Sequence, residues 1–587
     1  MRTFGNTFGQ SGEGQPAMGF HGAVATEHYL SAQAAMDILK AGGNAFDAAA
    51  AATFVEGLVN PHMFTLGGEC PMVLYVADED TVVAVNGNTE APASASLENY
   101  RSRGMDLIPP QGMPAAGVPA AVASLLDMVH RYGRLPLQDV LGPVKTLCSR
   151  GFPVHEGLIK MPRFGIEDNA ALFQKEWRAS AQLYLDPDGK TPSPGSRLVN
   201  ASYGRVVDFL LEEARRYGHD RAAGIRAARK AFYEGDIAEE LERFVRERDG
   251  FLTRSDLASY ETLFEKPVSV PFRNTQVYKC GPWSQGPVFL QMLRLLEGFD
   301  LESLGWHSAS YLHTWVEAAK LAFADREQYY GDPRFVDVPL EALLSASYAQ
   351  VRRTLIDPDR ASTAHRPGDP RRGKPLLPAE AVFRWDRWGY GTVHVAVADS
   401  FGNMAALTPS GGWISGNEVV PSLGFPLGTR LQTFYLDPAH PNALRPRKRP
   451  RTTLTPSLAF RDGRPWMAFG TMGGDQQDQW TLQFFLNRAV FGMSVQEAIE
   501  APKICSDHFP GTFYPHDAFP ARLRVESRIS EDTRRSLEAL GHRVVVEGPW
   551  SLGFICAVSR ERDGLWVSGA DPRGHRAAVF PSCALAW

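Results

Sequence analysis

Apolar residues along the first third of the chain follow two kinds of spacing. Short continuous or alternating apolar runs are typical of strands, whereas apolar positions spaced by three and four residues are typical of helices. Gly42-Gly43 ends the first helical stretch, and Gly67-Gly68 forms a turn before two strand-like runs. The predicted elements are a strand at 23–26, a helix that ends near residue 40, a second helix at 45–59, and a hairpin of 72–76 with 81–85.

The rest of the chain divides at a polar, proline-rich stretch over residues 357–391. We predict a long exposed loop here, because unstructured segments of this length are uncommon inside compact proteins. The pattern before it is mostly helical, and strands and helices alternate after it, which favours a layered α/β architecture. The predicted elements are helices at 120–132, 203–217, 237–248 and 308–330, strands at 393–397, 404–407, 458–460 and 466–469, and helices at 477–490 and 495–501.

Composition narrows the class of protein. A chain of 587 residues exceeds the size of one hydrophobic core, so two or more packed units are expected. The net charge of -5 provides no basic surface for nucleic acid or for an acidic membrane. The six cysteines lack zinc-binding or disulfide spacing, so no metal site is expected. No apolar leader or membrane-length apolar run is found, which predicts a cytoplasmic protein.

Gly391-Thr392 stands where the predicted loop meets the next strand. A threonine hydroxyl becomes an effective nucleophile when a base lies beside it, and a free α-amine on the same residue is such a base. Cleavage of the Gly391–Thr392 bond would create that amine, and the glycine allows the tight turn that cleavage requires. By itself, such a pair is more often an ordinary strand start.

Motifs over most of the chain resemble those of the γ-glutamyltranspeptidase family. The similarity extends from about Gly22 to the C-terminus, and the motifs occur in the family's order. They comprise residues 42–49, 117–120, 132–136, 256–260, 317–326 and 392–394, Asp399 with Gly402-Asn403, residues 448–450 with Thr452-Thr453, Gly470 with Gly473-Gly474, and residues 571–573.

The resemblance implies a four-layer αββα sandwich of the N-terminal-nucleophile hydrolase type, formed by a precursor that cleaves itself without a cofactor. It divides the chain into an N-terminal arm (1–21), a large subunit (22–391) and a small subunit (392–587) that share one αββα unit. The family's site residues fall on Thr392 as nucleophile, Ser410 as partner of its hydroxyl, Gly473-Gly474 as oxyanion amides and Thr452-Thr453 as substrate-binding residues.

The chain departs from the family where the substrate's amino-acid head group is held. The family's bidentate arginine falls on Asn88, its aspartate on Thr433 and a nearby asparagine on Gly412. A substrate charge without a partner in a desolvated site costs roughly 3–5 kcal/mol, so the substrate is expected to differ. Other candidate pocket residues are Arg430 as a new anion anchor, Trp413 as a wall, and Asp475, which either caps the following helix or faces the pocket.

The sequence therefore predicts a self-processed threonine amidohydrolase or acyltransferase that hydrolyses a small-molecule amide through an acyl-enzyme. A short segment at 435–445 favours an open site and hence hydrolysis over transfer. Two alternatives stay open: a true γ-glutamyltransferase or glutathione hydrolase, and an inactive binding or scaffold homologue. The expected partners are the amide substrate and the two fragments of the precursor, a homo-oligomer of the processed unit is possible, and nucleic acid and membranes are not expected.

Overall fold

Two seven-stranded antiparallel sheets form the centre of the protein. The computed structural model describes residues 15–371, 374–375, 391–576 and 579–587. The sheets pack face to face, and helices cover both outer faces, which gives the four-layer αββα sandwich expected from the sequence. Within the described part of the chain, every helix is too short or too polar to cross a bilayer.

The first sheet combines strands from both sides of Thr392. The hairpin that follows Thr392 lies in the middle of this sheet, between strands that precede Thr392 in sequence. In spatial order the strands are Cys583–Ala586, Gly22–Thr26, Val395–Asp399, Met404–Leu407, Met72–Val76, Thr81–Asn86 and Leu263–Glu265.

The second sheet also draws strands from both parts of the chain. Small and apolar side chains fill the space between the sheets, including Ala396 and Ala398 from the first and Leu458 and Val558 from the second. Alanines on the first sheet allow the close approach that face-to-face packing requires. In spatial order the strands are Ala17–Gly19, Trp566–Ala570, Ile555–Arg560, Arg464–Thr471, Ser457–Arg461, Thr275–Lys279 and Val268–Phe272.

Helices form the two outer layers and a helical region beside the first sheet. Those on the first sheet are Tyr29–Lys40 and Ala45–Val59, and those on the second are Gly286–Leu296, Gln477–Ala489 and Val495–Glu500. The other helices of four residues or more are Leu97–Ser102, Ala121–Tyr132, Leu137–Arg150, Glu156–Lys160, Ile166–Lys175, Arg178–Tyr184, Ala201–Arg215, Arg221–Glu234, Asp236–Arg246, Arg254–Ala258, Leu301–Leu304, Ala309–Tyr329, Leu340–Leu343, Ala346–Arg353, Glu531–Ala539 and Arg573–Arg576.

Short strand pairs complete the described structure. They lie outside the two main sheets and fasten loops to the sandwich. They are Phe152–Pro153 with Arg197–Leu198, Gly368–Asp369 with Lys374–Pro375, Val419–Val420 with Phe425–Pro426, and the three-stranded group Ile504–Ser506, Arg522–Glu526 and Arg543–Glu547.

The helix Ala45–Val59 attaches directly to the strand that follows Thr392. Its alanine-rich sequence favours helix and allows every residue of it to be buried. Asn44 and Asp47 form a capping box at its start. Asp399, at the end of the strand, accepts a hydrogen bond from the backbone N–H of Ala45 at 2.7 Å. Two of the motifs found in the sequence therefore meet here to fix the nucleophile strand.

The predicted exposed loop at 357–391 is partly wrong where it is described. Residues 361–371 contain several buried positions and pack against the helix Ala309–Tyr329. Arg366 donates to Glu317 at 2.8 Å, and the backbone N–H of Gly368 donates to Asp325 at 2.7 Å. Buried carboxylates on the helix thus hold a segment whose polar composition suggested exposure. Residues 372–373 and 376–390 of the predicted loop lie outside the described residues.

The predicted N-terminal arm also differs from expectation in its last part. Ala17–Gly19 pairs with Trp566–Ala570 as an edge strand of the second sheet. Residues 1–14 of the arm lie outside the described residues.

Glu56, inside the buried helix Ala45–Val59, makes stability dependent on pH. Burial raises the pKa of its carboxyl to about 8, against the opposing hydrogen bond donated by Asn60 at 2.6 Å. A raised pKa means that the folded state favours the protonated acid. The stability that this carboxyl contributes is therefore complete below about pH 4.3, the pKa of glutamate in an unfolded chain, and is lost as pH rises through 8.

We therefore expect Glu56→Gln, which keeps the shape of the protonated acid, to raise the free energy of unfolding relative to wild type more at pH 9 than at pH 5. The difference between these two effects should be roughly 2–4 kcal/mol. Thermal unfolding at both values measures this, with the exposed Glu98→Gln as control. An equal effect of Glu56→Gln at pH 5 and pH 9 would contradict the prediction.

Candidate active site

Thr392 lies buried at the floor of a cavity, with 2% of its surface exposed. Its hydroxyl contacts the carbonyl oxygen of Gly391 at 2.6 Å and the Ser410 hydroxyl at 3.1 Å. The backbone N–H of Val393 donates to the carbonyl of Pro409 at 3.0 Å, which continues the hairpin register up to the nucleophile. The hydroxyl is thus held against the bond that the sequence predicts to be cleaved.

The carbonyl oxygen of Gly391 is held by more than the nucleophile. It accepts hydrogen bonds from the Ser410 hydroxyl at 2.6 Å and from the Trp413 indole Nε1 at 3.1 Å. A β-carbon at position 391 would overlap the indole of Trp413 and lie 2.9 Å from the Phe164 ring. Only glycine fits between these side chains without displacing them.

Gly473 and Gly474, the predicted oxyanion residues, follow the strand Arg464–Thr471 and precede the helix Gln477–Ala489. Their φ angles are 123° and 57°, so both adopt backbone conformations that favour glycine. Within the described residues their N–H groups have no acceptor in the protein. Gly474 lines the same cavity as Thr392, so one predicted oxyanion residue and the predicted nucleophile border one space.

The cavity has a volume of about 280 Å³ and an aromatic wall. Among the described residues, four polar residues besides Thr392 also line it, namely Gln111, Arg163, Ser415 and Gln432. A second cavity of about 580 Å³ shares Tyr514 and Pro515 with the first and continues the space away from Thr392. Besides Gly391, Thr392 and Gly474, the first cavity is lined by Pro110, Gln111, Arg163, Phe164, Trp413, Ser415, Gly416, Gln432, Phe513, Tyr514 and Pro515.

The positions predicted to match the family's head-group anchors make structural contacts in this protein. Asn88 donates to the carbonyl of Pro450 at 2.6 Å, and the Thr433 hydroxyl donates to the carbonyl of Arg430 at 2.9 Å. Gly412 adopts a φ of 64° beside Thr65 and has no side chain to offer. Asn88, Thr433 and Gly412 are absent from the cavity lining.

Arg430 lies behind the cavity wall. Its Nε donates to Glu69 at 2.5 Å and its Nη2 donates to the Ser410 hydroxyl at 2.7 Å. Both charged side chains are 1% exposed, and the guanidinium stacks near the rings of Trp413 and Phe513. Burial raises the pKa of Glu69, whereas the adjacent Arg430 lowers it. The charge of Arg430 is therefore already paired, which disfavours the predicted role as an open anion anchor.

Asp475 follows Gly473-Gly474, the predicted oxyanion residues, and the threonine pair at 452–453 is linked to Gly474 through Gln285. Asp475 pairs with Arg326 and accepts from the backbone N–H of Thr512 at 2.8 Å, so it neither caps the next helix nor is free for a ligand. The carbonyl of Thr452 accepts from the backbone N–H of Gln285 at 2.9 Å, and the Gln285 side chain donates to the carbonyl of Gly474 at 3.3 Å. The Thr453 hydroxyl is buried without a partner.

His394, two residues after the nucleophile, is a structural residue. Burial, assisted by Lys279, lowers the pKa of its imidazole to about 3, so the ring is neutral. Its Nδ1 lies 3.0 Å from the Thr408 hydroxyl, and a β-carbon at Gly470 would overlap its ring. Because Gly470 has no side chain, the second sheet leaves room for the ring of His394.

His313, Glu317 and His542 form the one group of three metal-type side chains found among the described residues. Glu317 is already bound by Lys320 at 2.6 Å and by Arg366 at 2.8 Å. The two imidazoles contact each other at 2.9 Å. Two cations on the carboxylate disfavour a metal ion, since a third positive charge would have to displace them.

Several site residues were not identified from the sequence. Glu69 carries the clearest signal, an acidic residue directly after Gly67-Gly68 and before an apolar run, where an unpaired charge would be costly. Phe164, Phe513 and Tyr514 come from loops far from Thr392 in sequence, and no local pattern separates them from core aromatics.

The chain is similar in sequence to known proteins over most of its length. A sequence model of the family described as Gamma-glutamyltranspeptidase matches residues 31–580. The chain is 32% identical over 560 residues to the glutathione hydrolase-like YwrD proenzyme of Bacillus subtilis (strain 168), with 95% of this chain and 98% of that protein covered.

Solved structures are similar over nearly the whole chain. The structure of LmbA2991HD matches with a TM-score of 0.91 and 42% identity, over 97% of this chain and 99% of that one. The crystal structure of cephalosporin acylase from Bacillus halodurans matches with a TM-score of 0.83 and 27% identity, over 99% and 98% of the two chains. The similarity therefore includes both proposed fragments.

Proposed function

Because the chain belongs to the γ-glutamyltranspeptidase family, whose members hydrolyse or transfer acyl groups, we propose that it cleaves its own Gly391–Thr392 bond and then hydrolyses an amide whose acyl group is not γ-glutamyl. One observation carries this proposal. The Thr392 hydroxyl lies against the Gly391 carbonyl, and Gly391, Thr392 and Gly474 line one cavity, whereas the positions matched to the head-group anchors do not.

Self-cleavage begins with the Thr392 hydroxyl, which lies 2.6 Å from the carbonyl oxygen of Gly391. The hydroxyl oxygen attacks the carbonyl carbon, the C–N bond breaks, and the hydroxyl proton passes to the released nitrogen of Thr392. Water then hydrolyses the resulting ester. The products are chains of 391 and 196 residues that stay associated, because the first sheet contains strands of both.

Turnover uses the amine that cleavage creates. The α-amine of Thr392 accepts the hydroxyl proton, and the oxygen attacks the substrate amide. The N–H groups of Gly473 and Gly474 stabilise the oxyanion, because they are fixed before reaction and have no other acceptor. The leaving amine takes the proton, and water resolves the acyl-enzyme. The proposed cycle requires only groups of the protein, the substrate and water.

The cavity favours an acyl group without an α-amine. An aromatic wall of Phe164, Trp413, Phe513 and Tyr514 suits an apolar chain or ring, and among the described residues no carboxylate lines this cavity to accept an ammonium group. The cephalosporin acylase similarity is in keeping with such a substrate class.

A matched pair of substrates tests this proposal. Glutaryl anilide and γ-glutamyl anilide differ only by the α-ammonium group, so their kcat/KM ratio measures its effect. We expect glutaryl anilide to be preferred by at least about 100-fold, since an ammonium without a partner costs roughly 3–5 kcal/mol. A preference for γ-glutamyl anilide would support the alternative, a true γ-glutamyltransferase or glutathione hydrolase. Phenylacetyl anilide extends the series to an aromatic acyl group.

A further inference from the structure

The carbonyl oxygen of Gly391 accepts three hydrogen bonds, although a carbonyl has two lone pairs. The donors are the hydroxyls of Thr392 and Ser410, both at 2.6 Å, and the indole Nε1 of Trp413 at 3.1 Å. When the Thr392 oxygen attacks the carbonyl carbon, its own hydrogen bond to this oxygen is lost. The Ser410 and Trp413 donors stay in place, and both of their bonds strengthen as the oxygen gains negative charge. The amides of Gly473 and Gly474 are not among these donors.

A buried charge pair orients the Ser410 hydroxyl. Arg430 Nη2 donates to the Ser410 oxygen at 2.7 Å, which leaves the single hydroxyl proton of Ser410 to be donated elsewhere. Gly391 O is its nearer acceptor, at 2.6 Å against 3.1 Å for the Thr392 hydroxyl. A charged donor also polarises the hydroxyl and strengthens the bond that the hydroxyl donates. Glu69 fixes the guanidinium through Nε at 2.5 Å.

We infer that Ser410 and Trp413 form a second oxyanion site that serves cleavage of the Gly391–Thr392 bond, with Arg430 and Glu69 as its positioning pair. This inference rests on the proposed self-cleavage. While the Thr392 oxygen bonds to the carbonyl carbon and the proton moves to the Thr392 nitrogen, the Ser410 O–H and the Trp413 N–H hold the negative oxygen. Turnover uses the amides of Gly473-Gly474 instead, so the precursor and the mature enzyme depend on different donors.

The step after cleavage follows from the same contacts. Once the carboxylate of Gly391 leaves, Ser410 keeps Arg430 as its donor and donates its own proton to the Thr392 hydroxyl oxygen. Trp413 keeps the second acceptor of its Nε1, the carbonyl of Met63 at 2.8 Å, and stays in place as cavity wall. The processing site thereby becomes a support for the mature nucleophile.

Cleavage time courses of precursor from cell-free translation test the inference, with fragments quantified by intact mass. Trp413→Phe removes one donor while keeping an aromatic ring, and we expect cleavage to slow by about 100-fold. The cleavage rate is the readout for this variant, because Trp413 also forms part of the cavity wall and its replacement changes the surface that meets the substrate. Trp306→Phe removes an indole hydrogen bond to Asn487 far from the cavity and is the matched control.

The positioning pair is tested by Arg430→Lys and Glu69→Gln. Lysine keeps the charge but lacks the fork that reaches both Glu69 and Ser410, so cleavage should slow by at least tenfold. Glu69→Gln should slow cleavage less, and the double variant should be no slower than Arg430→Lys alone, because the pair acts through one hydroxyl. Thermal unfolding of each precursor verifies that it is folded.

The outcomes separate the two proposals. Absence of cleavage in the wild type would refute the proposed function itself. Wild-type cleavage together with unchanged rates in folded Trp413→Phe and Arg430→Lys would overturn the second oxyanion site alone. A folded Gly473→Ala variant that loses as much cleavage rate as kcat would also overturn it, since one shared oxyanion site would then serve both reactions.

Discussion

Thr392→Ala is expected to yield a single chain of 587 residues, whereas the wild type yields fragments of 391 and 196 residues. The hydroxyl at 2.6 Å from the Gly391 oxygen is the nucleophile in the proposed cleavage, and alanine removes it without adding volume. We expect cleavage to slow by at least about 1,000-fold. Intact mass spectrometry measures both chains, and N-terminal sequencing should find the smaller fragment beginning Thr-Val-His.

Thr392→Ser is the matched variant, because it keeps the hydroxyl and removes only a methyl group. Fragments of the same mass should form from it. Cleavage at another bond in the wild type would contradict the assignment of Thr392. A wild-type chain that stays intact after long incubation would instead favour the inactive binding or scaffold homologue.

Gly473→Ala is expected to abolish turnover while leaving self-cleavage intact. At a φ of 123° an L-residue is strained, and the added β-carbon would overlap the Trp480 ring. The backbone at residue 473 must rotate to relieve the strain and the overlap, and this rotation turns the N–H groups of residues 473 and 474 away from the oxyanion. Losing one oxyanion donor typically lowers kcat by about 100- to 1,000-fold. Cleavage should continue, because Ser410 and Trp413 hold the Gly391 oxygen.

The measurement combines kcat for glutaryl anilide with the fragment masses of the same preparation. Gly463→Ala is the control, since Gly463 also has a positive φ, 73°, in a hairpin turn, but has open space around its α-carbon. It should cost about 1 kcal/mol of stability and leave kcat unchanged. Turnover at the wild-type level in Gly473→Ala would remove this glycine from the oxyanion site.

Short-range sequence patterns predicted most of the fold. The helix Ala45–Val59 and the strand Met404–Leu407 lie at the predicted positions, because their apolar spacing and flanking glycines or caps act locally. The loop at 361–371 was predicted to be exposed, because its polar residues gave no sign of the buried Asp325 and Glu317 that bind it. Those partners come from a helix whose own pattern indicates only that it is buried.

In the candidate site, too, some residues could be predicted from the sequence and others could not. Thr392, Ser410 and Gly473-Gly474 could be placed from family motifs, and the structure brings Ser410 and Gly474 beside Thr392 or its cavity. Glu69 and Arg430 are 361 positions apart, and nothing local in the sequence links them. Arg430 was therefore interpreted as a ligand for substrate, whereas its charge is satisfied inside the protein.

The place of the Val395–Asp399 and Met404–Leu407 hairpin has a consequence for the lifetime of the cleaved enzyme. Strands of the longer fragment flank it on both sides, so the shorter fragment cannot dissociate without breaking two rows of backbone hydrogen bonds at once. The folded heterodimer should thus dissociate slowly after dilution. Once denatured, however, its two chains must find each other again, so renaturation becomes second order in concentration, whereas the uncut chain renatures as a single molecule.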